Sequence, residues 1–182
     1  MTDHEARLEE LAARVEIAQV ILRLARGTDR RDRELMLACY HPDATDDHNM
    51  FRGSARDFAE LVSTSDPAMW VATSHTTSPP LVELRGDVAW AETTAVGFHV
   101  GHADTGGSQA VLLIGCRYED RFECRSGEWR IAHRTVIYDW AGQSALVPGD
   151  RPSRRMPFPD DFVVGTRDAS DPSYVLRLEA LR

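Results

Sequence analysis

The chain has 182 residues, 42% hydrophobic and 27% charged, the balance of one ordinary globular domain and not of a disordered or fibrous protein. A formal net charge of -8 leaves no overall positive field for phosphate backbones, so nucleic acid is excluded as a partner, and no apolar run approaches the roughly 20 residues of a bilayer span. All 21 basic residues are Arg, and the absence of Lys excludes Schiff-base chemistry, an internal pyridoxal aldimine and the phosphate-gripping lysine of P-loops. Cys39, Cys116 and Cys124 are odd in number and lack C-x-x-C spacing, which predicts reduced thiols, no disulfide framework and no zinc site. The charged start "MTDHEARLEE" carries no export signal, and a cytoplasmic protein is expected.

From His4 to Arg26, Leu8, Leu11, Val15, Ala18, Leu22 and Ala25 recur at helical spacing, predicting a long amphipathic helix capped by Thr2 or Asp3 and stopped at Gly27. "DRRDRELMLACY" reads as a second helix across the turn "GTDRR", closed at "HPDA" by Pro42. A short strand at "ATDDHNMF" and a third helix in "GSARDFAELV", capped by Ser54, follow. From about Ser74 the pattern turns to strands: "PLVEL", the turn "RGD", "VAWAETTAVGFHV", the loop "GHADTGGS", "QAVLLIGCRYEDRFE", the turn "CRSGE" and "WRIAHRTVIYDW". Helices followed by a meander predict an α+β fold whose sheet curls over the helices. The tail from Ala141 to Arg182 has no clear periodicity before "YVLRLEALR" and is expected to pack on residues 1–140 or on a neighbouring subunit.

These segments resemble the SnoaL-like branch of the nuclear transport factor 2-like superfamily over roughly residues 5 to 140. That branch includes scytalone dehydratase, bile acid 7-alpha-dehydratase and hexachlorocyclohexane dehydrochlorinase. The resemblance implies a cone-shaped, cystatin-like curved sheet wrapped around the N-terminal helices. It also implies a dyad of Asp29, in "GTDRR", and His75, in "TSHTT". A carboxylate on one ring N–H fixes the histidine tautomer, leaves the other nitrogen as a base and stabilises the imidazolium that forms. On spacing alone, two plainer uses stay open: Asp29 as the cap of the second helix, and His75 as a hydrogen-bonded histidine without a chemical role.

Arg134, in "AHRTVIYDW", matches a pocket arginine of some of these lyases. Strand alternation groups it with Ala132, Val136 and Tyr138 on an apolar face, where it is expected to meet a leaving group or enolate oxygen. His99, Cys116, Tyr118, Tyr138 and Glu92 are further candidate pocket groups. "HPDATDDH" has the composition of a two-histidine, one-carboxylate metal site, but the spacing identifies no further ligand, and these residues read as turn and capping contacts. The expected function is a cofactor-independent, dehydratase-like lyase acting on a small apolar hydroxy or keto compound. An isomerase or polyketide-type cyclase using the same dyad, and a non-catalytic ligand-binding protein, are the alternatives. A homotrimer is implied by the resemblance, with a dimer as the alternative.

Overall fold

The computed structural model describes residues 2–64, 69–105, 107–146 and 163–180. Helix α1, Asp3–Arg30, opens with a capping box in which Thr2 accepts from the Glu5 N–H and Glu5 accepts in return. It runs through Gly27 and ends at Arg31, whose left-handed backbone (φ 55) turns its N–H back to the Gly27 and Thr28 carbonyls. Gly27 is therefore not the predicted stop. A Cβ there would meet Met36 Cγ at 2.9 Å and the Met36 backbone N at 3.2 Å, so the glycine lets α2, Arg33–Cys39, close against α1. Asp32, not Asp29, caps α2 by accepting from the Leu35 N–H at 3.0 Å.

The buried stripe of α1 also differs from the predicted one. Ala13, Ile17, Val20, Ile21 and Leu24 face the core, whereas Leu8, Leu11, Val15 and Leu22 are half exposed. Apolar residues occupy both faces at the same period, and the phase is set by which face meets the sheet.

Strand β1, Tyr40–Asp47, starts four residues earlier than expected and takes in Pro42. It pairs antiparallel with β2, Arg52–Ser54, and Ser54 then caps α3, Ala55–Thr64, by accepting from the Asp57 N–H. β3, Ala72–Thr77, and β4, Leu81–Arg85, both pair with the long β5, Val88–Ala103. β6, Gln109–Arg125, and β7, Glu128–Leu146, complete the meander. The order β2-β1-β7-β6-β5-β3, with β4 also on β5, is antiparallel except where β1 joins β7 in parallel. This is the expected α+β architecture, with helices at the N-terminus and an open curved sheet. Ile17, Val20, Ile21, Leu24, Met36 and Tyr40 pack with Ala89, Ala91, Phe122 and Ile131 into the main core.

β7 continues past Ala141, where the tail was expected to begin. Residues 147–162 lie outside the described residues. Beyond them Arg167 and α4, Pro172–Ala180, return to the domain: Asp171 pairs with Arg30, Tyr174 donates to Asp32 at 2.8 Å, and the Arg26 guanidinium lies over the Tyr174 ring. Among the described residues no helix is long and apolar enough to cross a membrane.

The Gly27 contact sets two effects against each other. Alanine improves helix propensity by up to about 1 kcal/mol, while overpacking a fully buried Met36 costs about 1–3 kcal/mol. Gly27→Ala is expected to lower the urea midpoint.

Candidate active site

An apolar cavity of about 270 Å³ lies between the helices and the inner face of the sheet. Met50, Phe51, Phe58, Leu61, Ile114 and Val136 give its apolar lining, and His48, His75, His99, Cys116, Tyr118 and Tyr138 give its polar groups. Alternation explains much of this membership. On β5, Ala95, Gly97 and His99 share the inner face, and on β7 Val136 and Tyr138 share one with Arg134. The register slips at Ala132 between β6 and β7, so Ile131, not Ala132, fills the next inward position.

Asp29 and His75 meet here, 46 residues apart in sequence. His75 Nδ1 lies 2.7 Å from Asp29 Oδ1, and the His75 backbone N–H donates to Asp29 Oδ2 at 2.9 Å. One residue thus takes both oxygens of the carboxylate and fixes its plane. Asp29 reaches this position from the last turn of α1, a turn that exists only because the helix runs past Gly27. Burial acts to raise the Asp29 carboxyl, but the His75 ring, the His75 N–H and the Thr73 hydroxyl together hold it below the usual value. Arg167 donates to Thr73 Oγ1 at 3.1 Å and to the Trp70 carbonyl at 3.2 Å, bringing a guanidinium behind the carboxylate.

Gly97 leaves the other side of the imidazole open. A Cβ there would stand 3.3 Å from His75 Nε2 and 3.1 Å from His99 Cε1. His99 packs edge-on to His75 at 5.4 Å and to Trp70 at 5.3 Å. Burial, reinforced by the nearby His75, pushes His99 down to about 4, and its buried Nδ1 has no hydrogen-bond partner.

Arg134 turns inward as expected but does not line the cavity. Its Nε and Nη2 each donate to Asp120 at 2.6 Å, with the two residues 4% and 0% exposed. The expected contact with a leaving group is corrected on this ground: the guanidinium is committed to a bidentate partner. Burial opposes its charge, but Asp120 outweighs burial and keeps Arg134 well above its ordinary value. It reaches the cavity through Tyr118, stacking 4.1 Å from that ring's centroid. Burial raises the Tyr118 phenol far enough to keep it a hydrogen-bond donor, and burial raises the Cys116 thiol beside it. Glu92 is also corrected: it faces the opposite side of β5 and pairs with Arg117.

The "HPDATDDH" cluster disperses. His41 Nε2 donates to the Glu123 carbonyl, Asp43 pairs with Arg125, and Asp47 accepts from Asn49 and Arg52. Among the described residues no three His, Cys, Asp or Glu side chains group as a metal site. Two members, however, form a unit that the sequence reading missed: His48 Nδ1 bonds Asp46 Oδ1, and Tyr40 donates to Asp46 Oδ2 at 2.5 Å. His48 stacks on Phe58 at 4.3 Å and lines the cavity. The D-x-H spacing was the available signal, since residues two apart on a strand share a face.

A SnoaL-like domain model matches residues 9–135. The chain belongs to the SnoaL-like family. Solved structures agree on the fold of this SnoaL-like protein. The hexachlorocyclohexane dehydrochlorinase LinA-type3 from Novosphingobium barchaimii is 19% identical, covering 80% of this chain and 99% of that one with a TM-score of 0.66. A LinA Type2 dehydrochlorinase is 18% identical over 80% and 98% of the two chains, with a TM-score of 0.67. A nuclear transport factor 2-like superfamily protein from Salmonella enterica serovar Typhimurium is 19% identical over 71% and 92%, with a TM-score of 0.62. No curated protein sequence matches the chain.

Removing one member of the Arg134–Asp120 pair strands the other charge in the core. Arg134→Met is expected to cost about 3–5 kcal/mol in urea unfolding, and Arg134→Met combined with Asp120→Leu to recover a measurable part of it. For His99 the sign follows from its depressed folded value. Between the unfolded value near 6.5 and about 4, only the unfolded chain takes the proton, so stability is present above that window and is lost as pH falls through it. His99→Gln is expected to lose less stability than wild type between pH 7 and pH 4.5, read from paired denaturation curves.

Proposed function

We propose that this SnoaL-like protein is a cofactor-independent lyase for a small, largely apolar hydroxy or keto compound. The observation that carries the reading is the 2.7 Å contact of His75 Nδ1 with Asp29 at the wall of an apolar cavity. With Nδ1–H held by the carboxylate, Nε2 carries the lone pair. His75 takes a proton from a carbon beside the substrate carbonyl, and the C–H electrons form an enolate. The enolate then re-forms the carbonyl, its C=C pair becomes the new alkene, and the C–O pair leaves with the hydroxyl oxygen, which takes up a proton and departs as water. Asp29 stabilises the imidazolium that this leaves on His75. The Tyr118 phenol supports the developing enolate oxygen as a donor, with the Arg134 guanidinium on its ring strengthening that donor. Arg134 is in this reading a positioning residue. The apolar lining favours a ligand with one or two oxygens and a hydrocarbon body.

A fused-ring β-hydroxy ketone, 3-hydroxy-1-tetralone, tests the reading, because loss of water yields 1-naphthol, which is followed by its fluorescence. Wild type is expected to accelerate naphthol release, and Asp29→Asn and His75→Gln each to lower kcat by about 10²–10⁴-fold. Deuterium uptake at C2 without loss of water points to an isomerase or cyclase instead. Binding without either reaction marks a ligand-binding protein and sinks the lyase reading.

A further inference from the structure

The cavity has a second imidazole held by a buried carboxylate, and its surroundings differ from those of His75. Asp46 is 1% exposed, with His48 on one oxygen and Tyr40 on the other. In the sheet register Asp46 stands beside Arg134 across β1 and β7, and Arg134 stands beside Asp120 across β7 and β6. Asp46 therefore has a second buried carboxylate, Asp120, close by, and both Arg134 donors that the structure pairs go to Asp120. Two carboxylates against one guanidinium leave one negative charge in the cluster, and the His48 ring on Asp46 is placed to answer it. Tyr40 does not supply a charge, since burial and the neighbouring Asp46 hold its phenol protonated. The Tyr138 hydroxyl donates to the His48 backbone carbonyl at 3.3 Å and leaves the ring alone.

At the other dyad the balance is reversed. Among the described residues no second carboxylate acts on Asp29, which receives the Thr73 hydroxyl and the His75 N–H and has the Arg167 guanidinium behind Thr73. Its charge is answered by these donors. Two histidines on one cavity thus sit in opposite charge environments, the arrangement that separates an acid from a base.

We propose that His48, oriented by Asp46, is the general acid that protonates the departing oxygen while His75 acts as the base. This rests on the lyase reading above. The step balances. The carbon-bound proton goes to His75 Nε2, and the C–H pair becomes the new C=C bond. The C–O pair leaves with the oxygen, which takes the proton of His48 Nε2 and departs as water. His75 is then imidazolium and His48 neutral, and net transfer of one proton from His75 to His48 through solvent restores the start. Phe58, stacked flat on His48, and the hairpin that returns the His48 N–H to the Phe51 carbonyl hold the ring over the cavity.

The two roles separate in deuterium oxide with 3-hydroxy-1-tetralone, where C2 exchange reports the base and 1-naphthol release reports the acid. His48→Asn is expected to keep C2 exchange within a few-fold of wild type while naphthol release falls about 10²-fold, with KM little changed. Asp46→Asn is expected to show the same split more weakly, whereas His75→Gln loses both signals. His48→Asn releasing naphthol at the wild-type rate overturns the assignment and leaves the Asp29–His75 reading standing. Loss of both signals in His48→Asn and in His48→Gln, with folding intact by circular dichroism, also overturns it, because His48 then serves binding or shape. Wild type that neither exchanges nor eliminates removes the lyase reading and the acid with it.

Discussion

Arg134 and Asp120 meet across β7 and β6 with almost no exposure to solvent, and much of the inner sheet is arranged around that contact. A bidentate guanidinium–carboxylate pair is geometrically exacting, and in a core it is costly to leave half made. It therefore fixes the register of β6 on β7 at the level where the cavity begins. Asp46 is at the same level on β1, and Tyr118 carries the guanidinium on its ring. Stability and chemistry share these residues: the ion pair that holds the strands also sets the charge that surrounds Asp46 and the polarity of a phenol in the cavity wall.

The candidate base is built differently. Its carboxylate comes from the end of α1 and its imidazole from β3, so the dyad exists only when helix and sheet are docked. Three features converge on it: the helix runs past Gly27, that glycine lets α2 close in, and the left-handed Arg31 ends the helix one turn later. Gly97 keeps the space in front of His75 Nε2 clear, and Arg167 returns from the far end of the chain to Thr73 behind Asp29. Residues from α1, β3, β5 and the tail thus position one candidate base.

Much of this was legible beforehand, and the failures have identifiable causes. The meander from β5 to β7 followed from alternation and turn chemistry, and Asp29 with His75 followed from the family resemblance. Periodicity could not choose between the two apolar faces of α1, because Leu8, Leu11, Val15 and Leu22 repeat as regularly as Ile17, Val20, Ile21 and Leu24; only docking sets the phase. Gly27 looked like a stop because glycine usually ends helices, yet here it is a contact. Alternation turned Arg134 inward correctly but carried no information about Asp120, whose position depends on cross-strand register. The predicted strand held both Asp46 and His48, but the acidic residues around them read as turn and capping contacts, and the pairing shows only once β1 ends at Asp47 and His48 bonds back to Asp46.

The two imidazole–carboxylate pairs differ most in sequence separation. Asp29 and His75 are 46 positions apart, and Asp46 and His48 are two apart. A contact between such close neighbours is encoded by a single stretch of extended chain and forms with little loss of loop entropy. The longer-range one closes only with the tertiary structure, and it is the first to open when α1 loosens from the sheet. A partly expanded form of the protein therefore keeps a histidine that is tied to its carboxylate, but loses the one proposed as the base.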